Sequence, residues 1–200
     1  YLRKLGDRLR ETGYQGPVLI ILSHGGVAPF DEAVRLAAGT VLSGPAGGVA
    51  GSRYGSSLIG AENLVPFDMG GTSTDISMIV NGEPALSSTR GIAGQRVALQ
   101  SLDIVSIASG GGSIARVDNG GILRVGPESA GAVPGPACYG KGGVEVAVTD
   151  ASVVLGFLDP NNFLGGRESL DKEAAEVAVD KLASKLSESR AEAAEGVHRV

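Results

Sequence analysis

The chain has 200 residues, a formal charge of −5, a single cysteine and 32 glycines. Such a length holds one full domain with a core, or one and a half smaller ones, and the mild, dispersed acidity offers no basic stripe for nucleic acid. No apolar run approaches the roughly 20 residues that span a bilayer, and a lone Cys138 forms no internal disulfide, which fits the cytoplasm.

The opening YLRKLGDRLRET reads as a helix already under way, with Leu2, Leu5 and Leu9 on one stripe. No cap precedes it and no stop signal follows HRV at the other end, so both ends read as cut from a longer chain. PVLIILS, residues 17–23, predicts a buried central strand ending at His24-Gly25-Gly26. Asp31 is placed to cap a helix through DEAVRLAA, after which TVLS offers a short strand. SGPAGGVAGSRYG predicts a helix with Pro45 in its first turn. Each interior glycine costs such a helix about 1 kcal/mol relative to alanine; close approach of another backbone, as at a hinge between two domains, is one reason for a face this smooth, and a plain glycine loop is the competing reading.

NLVPFDMGGTSTDISMIV reads as a hairpin, with a second turn at Asn81-Gly82. After SGGGS at 109–113, IARVDNGGILRVGP predicts another hairpin, turning at Asp118-Asn119-Gly120-Gly121. Residues 126–143 form a Gly/Pro-rich loop of a length that marks function or disorder. Asp171 caps an amphipathic helix in which Ala174, Ala178, Leu182 and Leu186 recur, and a linker and the start of another helix follow.

The chemistry concentrates at Asp68-Met69-Gly70-Gly71-Thr72-Ser73-Thr74-Asp75. A phosphate site needs backbone N–H groups turned into a concavity, which side chains obstruct and Gly70 and Gly71 leave open. Thr72, Ser73 and Thr74 add hydroxyls, and Asp68 is a hard oxygen ligand for Mg2+. An ordinary turn satisfied by its own glycines and hydroxyls is the competing reading. Gly110, Gly111, Gly112 and Ser113 line a cleft or turn the chain. His24 and Asp150 are weaker candidates for metal, base or substrate contact; Cys138, read as a loop thiol with Lys141 close by, is a candidate nucleophile, against which stands the lack of a partnered base.

The order GPAGGVAGSRYG, FDMGGTSTD, Asn81-Gly82 resembles the second half of actin-like and sugar-kinase ATPases. More closely, LSGPAGGV, FDMGGTSTD, SGGGSIA, VGPESAGAVPGPACYGKGG, VTDA and FLGGR resemble the hydantoinase A/5-oxoprolinase family in the same order, from about residue 22 to 168. The resemblance implies an α/β, actin-like (RNase H-like) ATPase domain, a partial one, with a mixed sheet and flanking helices. Residues 1–40 would end a preceding subdomain, 41–168 would form the second phosphate-binding core, and 169–200 a truncated helical segment. It also implies ATP-dependent opening of a small cyclic amide, or in relatives carboxylation of a ketone; a nucleotide-binding or subunit-interaction module without chemistry is the rival of another class. By the resemblance Asp68, Gly70, Gly71, Thr72 and Thr74 would meet phosphates and Mg2+; the Ser73 hydroxyl, and Gly110 to Ser113 as cleft lining, are added from the residues themselves. A hydantoinase B-type subunit or domain would be the partner within an oligomer. With one side of the cleft only, this segment alone would neither hold ATP tightly nor turn over.

Overall fold

The computed structural model describes residues 1–92 and 94–200, with Arg90 and Ile92 given by their backbone alone. The chain forms two compact units, Tyr1–Asp68 with Asp75–Val105, and Met69–Thr74 with Ser106–Val200. The expected segments 1–40, 41–168 and 169–200 are linear divisions; the observed units are not, since the second borrows six residues from within the first.

In the first unit, helix α1 spans Leu2–Glu11 and buries only Gly6, where a Cβ would lie 2.8 Å from the Phe30 ring. Strands β1 (Leu19–Ile21) and β2 (Val27–Pro29) pair antiparallel as an isolated two-stranded ribbon. The apolar run 17–23 is therefore not a buried central strand: Leu19 is 57% and Ile21 37% exposed, while Leu22 enters the core with Ala28 and Ala33 and Ile20 packs partly buried against them. Helix α2 (Phe30–Arg35) starts from Pro29, so Asp31 lies in its first turn and caps nothing. TVLS forms no strand. Thr40 closes a short 3-10 turn, and Leu42, at φ 61°, turns the chain directly into helix α3 (Ser43–Ile59).

Helix α3 forms despite its glycines, and Ala46 and Val49 pack it against Ile79, Leu102 and Ile104. The expected backbone contact is absent among the described residues. Gly44, Gly51 and Gly55 face open space, Gly47 meets the Ile21 side chain, and Gly48 meets the Asp68 carboxylate. Strands β3 (Phe67–Met69) and β4 (Thr74–Ser77) follow, then β5 (Ile79–Val80) and β6 (Glu83–Pro84), which pair around Asn81-Gly82. Both turn residues have positive φ, 52° and 76°, as a tight hairpin requires. Strands β7 (Leu86–Ser87), β8 (Arg90–Ile92), β9 (Gln95–Val97), β10 (Ser101–Leu102) and β11 (Ile104–Ile107) complete this stretch. β7 pairs with β10, β8 with β9, and β11, β4 and β3 form a three-stranded sheet in that order.

The second unit holds the hairpin of β12 (Ser113–Val117) and β13 (Leu123–Ser129), turning at Asp118–Gly121 as its sequence predicts. The Asp118 carboxylate accepts from the Gly120 and Ile122 N–H groups, and these bonds, with Arg124 beside it, hold it below the ordinary carboxylate range. Helix α4 (Val148–Val154) follows, a helix the sequence reading does not foresee. Helix α5 (Lys172–Leu186) starts where expected: the Asp171 carboxylate accepts from the Ala174 N–H at 2.9 Å. Ser189 and Glu192 then form a reciprocal capping box that opens helix α6 (Arg190–Arg199). The core joins Ala178, Val179, Leu182 and Ala183 of α5 to Ala151 of α4 and to Ala193, Ala194 and Val197 of α6. Alanine at so many contacts lets the three helices approach closely. Among the described residues no helix is long and apolar enough to cross a membrane.

Candidate functional site

The tip of the first hairpin, Met69–Thr74, belongs to the second unit. Its turn closes when the Gly70 N–H donates to the Ser73 carbonyl at 2.8 Å. Beneath it lies the second glycine segment. A Cβ on Gly110 would sit 2.7 Å from the Gly70 oxygen and 2.8 Å from the Thr72 nitrogen, and one on Gly112 would sit 2.7 Å from the Gly71 oxygen. Only glycine fits at 110 and 112, because the neighbours are backbone and cannot rotate away.

Two hydrogen bonds tie the segments. The Gly111 N–H donates to the Gly70 carbonyl at 2.9 Å, and the Gly112 N–H to the Gly71 carbonyl at 2.7 Å. In a planar trans peptide the C=O and the next N–H point in opposite directions. Holding the Gly70 and Gly71 carbonyls inward therefore turns the Gly71 and Thr72 N–H groups outward. Among the described residues the N–H groups of Gly71, Thr72 and Ser73 have no acceptor. Gly71 and Thr72 are exposed and Ser73 is half-buried, so three successive donors lie at or just below an open surface, an arrangement suited to an anion.

Gly71 has neither a positive φ nor any atom within 4 Å of where a Cβ would stand. Nothing inside the chain demands glycine there, and the space over it is open to a ligand. The hydroxyls of Thr72 and Ser73 have no partner among the described residues. The phosphate contact expected of Thr74 is closed off, because its side chain is buried and its hydroxyl donates to the Ser109 carbonyl at 2.5 Å. The N–H groups of the second segment are engaged too: Gly110 donates to the Ser113 hydroxyl at 2.9 Å, and Gly111 and Gly112 to the hairpin. Gly110 to Ser113 thus support the tip rather than present donors beside it.

Asp68 lies in the first unit, at the centre of β3, and its side chain is exposed. With Asp75, Ser52 and Gly48 it lines a cleft of about 220 Å³. The Asp68 carboxylate lies over Gly48, 3.7 Å from where a Cβ would stand, an ordinary van der Waals distance.

The remaining candidates have structural partners. The His24 ring accepts from the Gly26 N–H through Nδ1 at 3.2 Å, a local turn bond. Asp150 lies not after a strand but in the first turn of α4, fully buried, and accepts N–H bonds from Ala137, Cys138 and Ala147 at 3.2, 2.8 and 2.8 Å. The loop at 126–143 is thereby anchored: Gly135 to Cys138 are buried rather than loose. Cys138 has no exposed surface, and burial, reinforced by the Asp150 carboxylate, pushes its thiol far above the ordinary range. Such a thiol is no nucleophile. In the folded protein at pH 8 it is expected to resist alkylating reagents that label it promptly in urea; equal labelling rates would contradict its burial. Because its folded pKa is raised, its contribution to stability is complete below the ordinary thiol pKa and declines as pH rises above it.

Comparison with known proteins adds a family. The hydantoinase/oxoprolinase family model matches residues 1–200. 5-Oxoprolinase 1 of Arabidopsis thaliana is 46% identical over 195 residues, covering 94% of this chain and 14% of its own length. The acetophenone carboxylase gamma subunit of Aromatoleum aromaticum is 42% identical over 191 residues, covering 94% and 26%. Among solved structures, nucleotide-free acetone carboxylase superposes with a TM-score of 0.85 at 34% identity, over 98% of this chain and 28% of that one. The ATP-dependent caprolactamase of Pseudomonas jessenii gives 0.76 at 36%, over 98% and 29%. The chain spans less than a third of the length of each of these proteins.

Proposed function

Because the chain belongs to the hydantoinase/oxoprolinase family, we propose that it is the phosphate-binding portion of an ATP-dependent enzyme that opens a cyclic amide, on an actin-like, RNase H-like scaffold. The observation that carries this reading is the hairpin tip, with three successive N–H groups unpaired among the described residues, those of Gly71 and Thr72 turned outward, and open space above Gly71. These fit a phosphate chain: an anion there meets donors fixed in advance, so little reorganisation opposes binding.

In this reading the N–H groups of Gly71, Thr72 and Ser73, with the hydroxyls of Thr72 and Ser73, hold phosphate oxygens. Asp68 holds Mg2+, through water or directly, as a hard cation prefers. Bound ATP supplies a phosphoryl group that makes an amide oxygen a leaving group. The task of this segment is positioning and charge neutralisation, the main work of phosphoryl-transfer sites. A partner subunit or domain of the hydantoinase B type completes the enzyme in the cytoplasm; the gamma-subunit name of the Aromatoleum relative supports a multi-subunit setting.

Ketone carboxylation is the second reading, favoured by similar identity to acetophenone carboxylase and acetone carboxylase. Product analysis separates them, ring-opened acid from a cyclic amide against carboxylate from ketone and bicarbonate. Calorimetry with MgATP on the intact enzyme tests what both share. Binding is expected, and Asp68→Ala is expected to weaken it roughly tenfold or more when Mg2+ is present, with a much smaller effect in EDTA. A folded intact enzyme that binds no MgATP would sink the ATPase reading and leave an interaction module.

A further inference from the structure

The outward aim of the hairpin donors has a source one layer deeper, at the buried start of α4. Thr149 donates twice to one acceptor: its N–H reaches the Gly111 carbonyl at 2.8 Å and its hydroxyl reaches the same oxygen at 2.7 Å. Thr149 is itself buried, and a Cβ on Gly111 would stand 2.8 Å from its hydroxyl, so the two are in close packing.

The Gly111 carbonyl and the Gly112 N–H belong to one peptide plane and point in opposite directions. Two donors on the carbonyl fix that plane and aim the Gly112 N–H at the Gly71 carbonyl, which it meets at 2.7 Å. The Gly71 carbonyl and the Thr72 N–H share the next plane, so the Thr72 N–H is aimed outward in turn. A side chain 77 positions away in sequence thus sets the direction of a phosphate donor through two rigid peptide groups.

We propose that Thr149 is a positioning residue of the phosphate hairpin, acting through the Gly112 and Thr72 peptides, with Asp150 as its anchor. The inference deepens the proposed function and rests on it for the identity of the ligand. Asp150 fits the anchoring part because its carboxylate accepts from Ala147, the residue that opens α4, and from Ala137 and Cys138 of the preceding loop. It thereby fixes where α4 begins and where Thr149 stands. Valine at 149 keeps the shape and the backbone bond and removes only the hydroxyl.

The test uses the intact enzyme with Thr149→Val and Thr149→Ser, measuring MgATP affinity, amide hydrogen exchange at Gly112 and Thr72, and Tm. Thr149→Val is expected to weaken MgATP about tenfold, the scale of one lost hydrogen bond in a buried network, and to speed exchange at Gly112. Thr149→Ser is expected to restore both to within about twofold of the parent. A lower Tm for Thr149→Val with unchanged MgATP affinity and unchanged Gly112 exchange would overturn the positioning role and leave the proposed function standing. An unsubstituted enzyme that binds no MgATP would overturn the proposed function, and this inference with it.

Discussion

Asp150→Ala is expected to destabilise the protein by at least about 3 kcal/mol, because three buried N–H groups lose their acceptor and each costs about 1–3 kcal/mol when left unpaired. The carboxylate is fully buried, and no cation pairs with it among the described residues. Its compensation comes from the Ala137, Cys138 and Ala147 N–H groups. Against a typical total of roughly 5–15 kcal/mol, such a loss places the variant near the edge of folding. Asp150→Asn keeps one acceptor but turns an NH2 group toward the donors, so it too is expected to fail, by less. Urea melts of the intact chain measure both. A loss below about 1 kcal/mol for the alanine variant would mean that the three N–H groups find water or other acceptors.

Gly71→Ala is expected to behave in the opposite way. A methyl group there meets nothing within 4 Å and strains no positive φ, so Tm should stay within a degree or two of the parent. Under the proposed function it occupies the space a phosphate oxygen needs above the Gly71 and Thr72 N–H groups, and MgATP affinity should fall on the order of a hundredfold, the scale of losing one hydrogen bond to a charged group. Gly110→Ala is the informative contrast. Its methyl would collide with the backbone of Gly70, Gly71 and Thr72, so stability and binding should fall together. If Gly71→Ala bound MgATP as the parent does, the open space over the tip would not be the nucleotide's, and the hairpin would be an ordinary turn.

Local chemistry was the legible part of this chain. Asp171 caps α5 and Asn81-Gly82 turns β5 into β6, because capping and turn preferences act within a few residues. The glycines of FDMGGTSTD pointed to the hairpin for the same reason: the constraint and the residues that meet it lie together. What the sequence hid is long-range. Thr72 and Thr74 look alike as hydroxyl donors, and only the Ser109 carbonyl, 35 positions on, separates a free hydroxyl from an engaged one. Gly71 and Gly110 look alike as glycines, yet one is glycine for what lies outside the chain and the other for the backbone beneath it. The apolar run at 17–23 reported that its residues avoid water without saying which face is covered, and Leu19 and Ile21 remain exposed among the described residues. Asp150 gave no local sign of its three donors, two of which lie 12 and 13 positions earlier.

The division of the chain also constrains the order of events during synthesis. Met69–Thr74 leaves the ribosome before any of Ser106–Val200, the rest of the unit in which it sits. Until Gly111 and Gly112 arrive, the carbonyls of Gly70 and Gly71 lack the donors that orient them. The hairpin tip is thus among the earlier segments translated and among the later ones completed, a contact pattern that slows assembly. A linear piece covering 106–200 would leave the Gly111 and Gly112 N–H groups without the carbonyls they bond, and adding the six-residue loop back in a circularly permuted gene, fused by a short glycine linker, should restore what truncation removes.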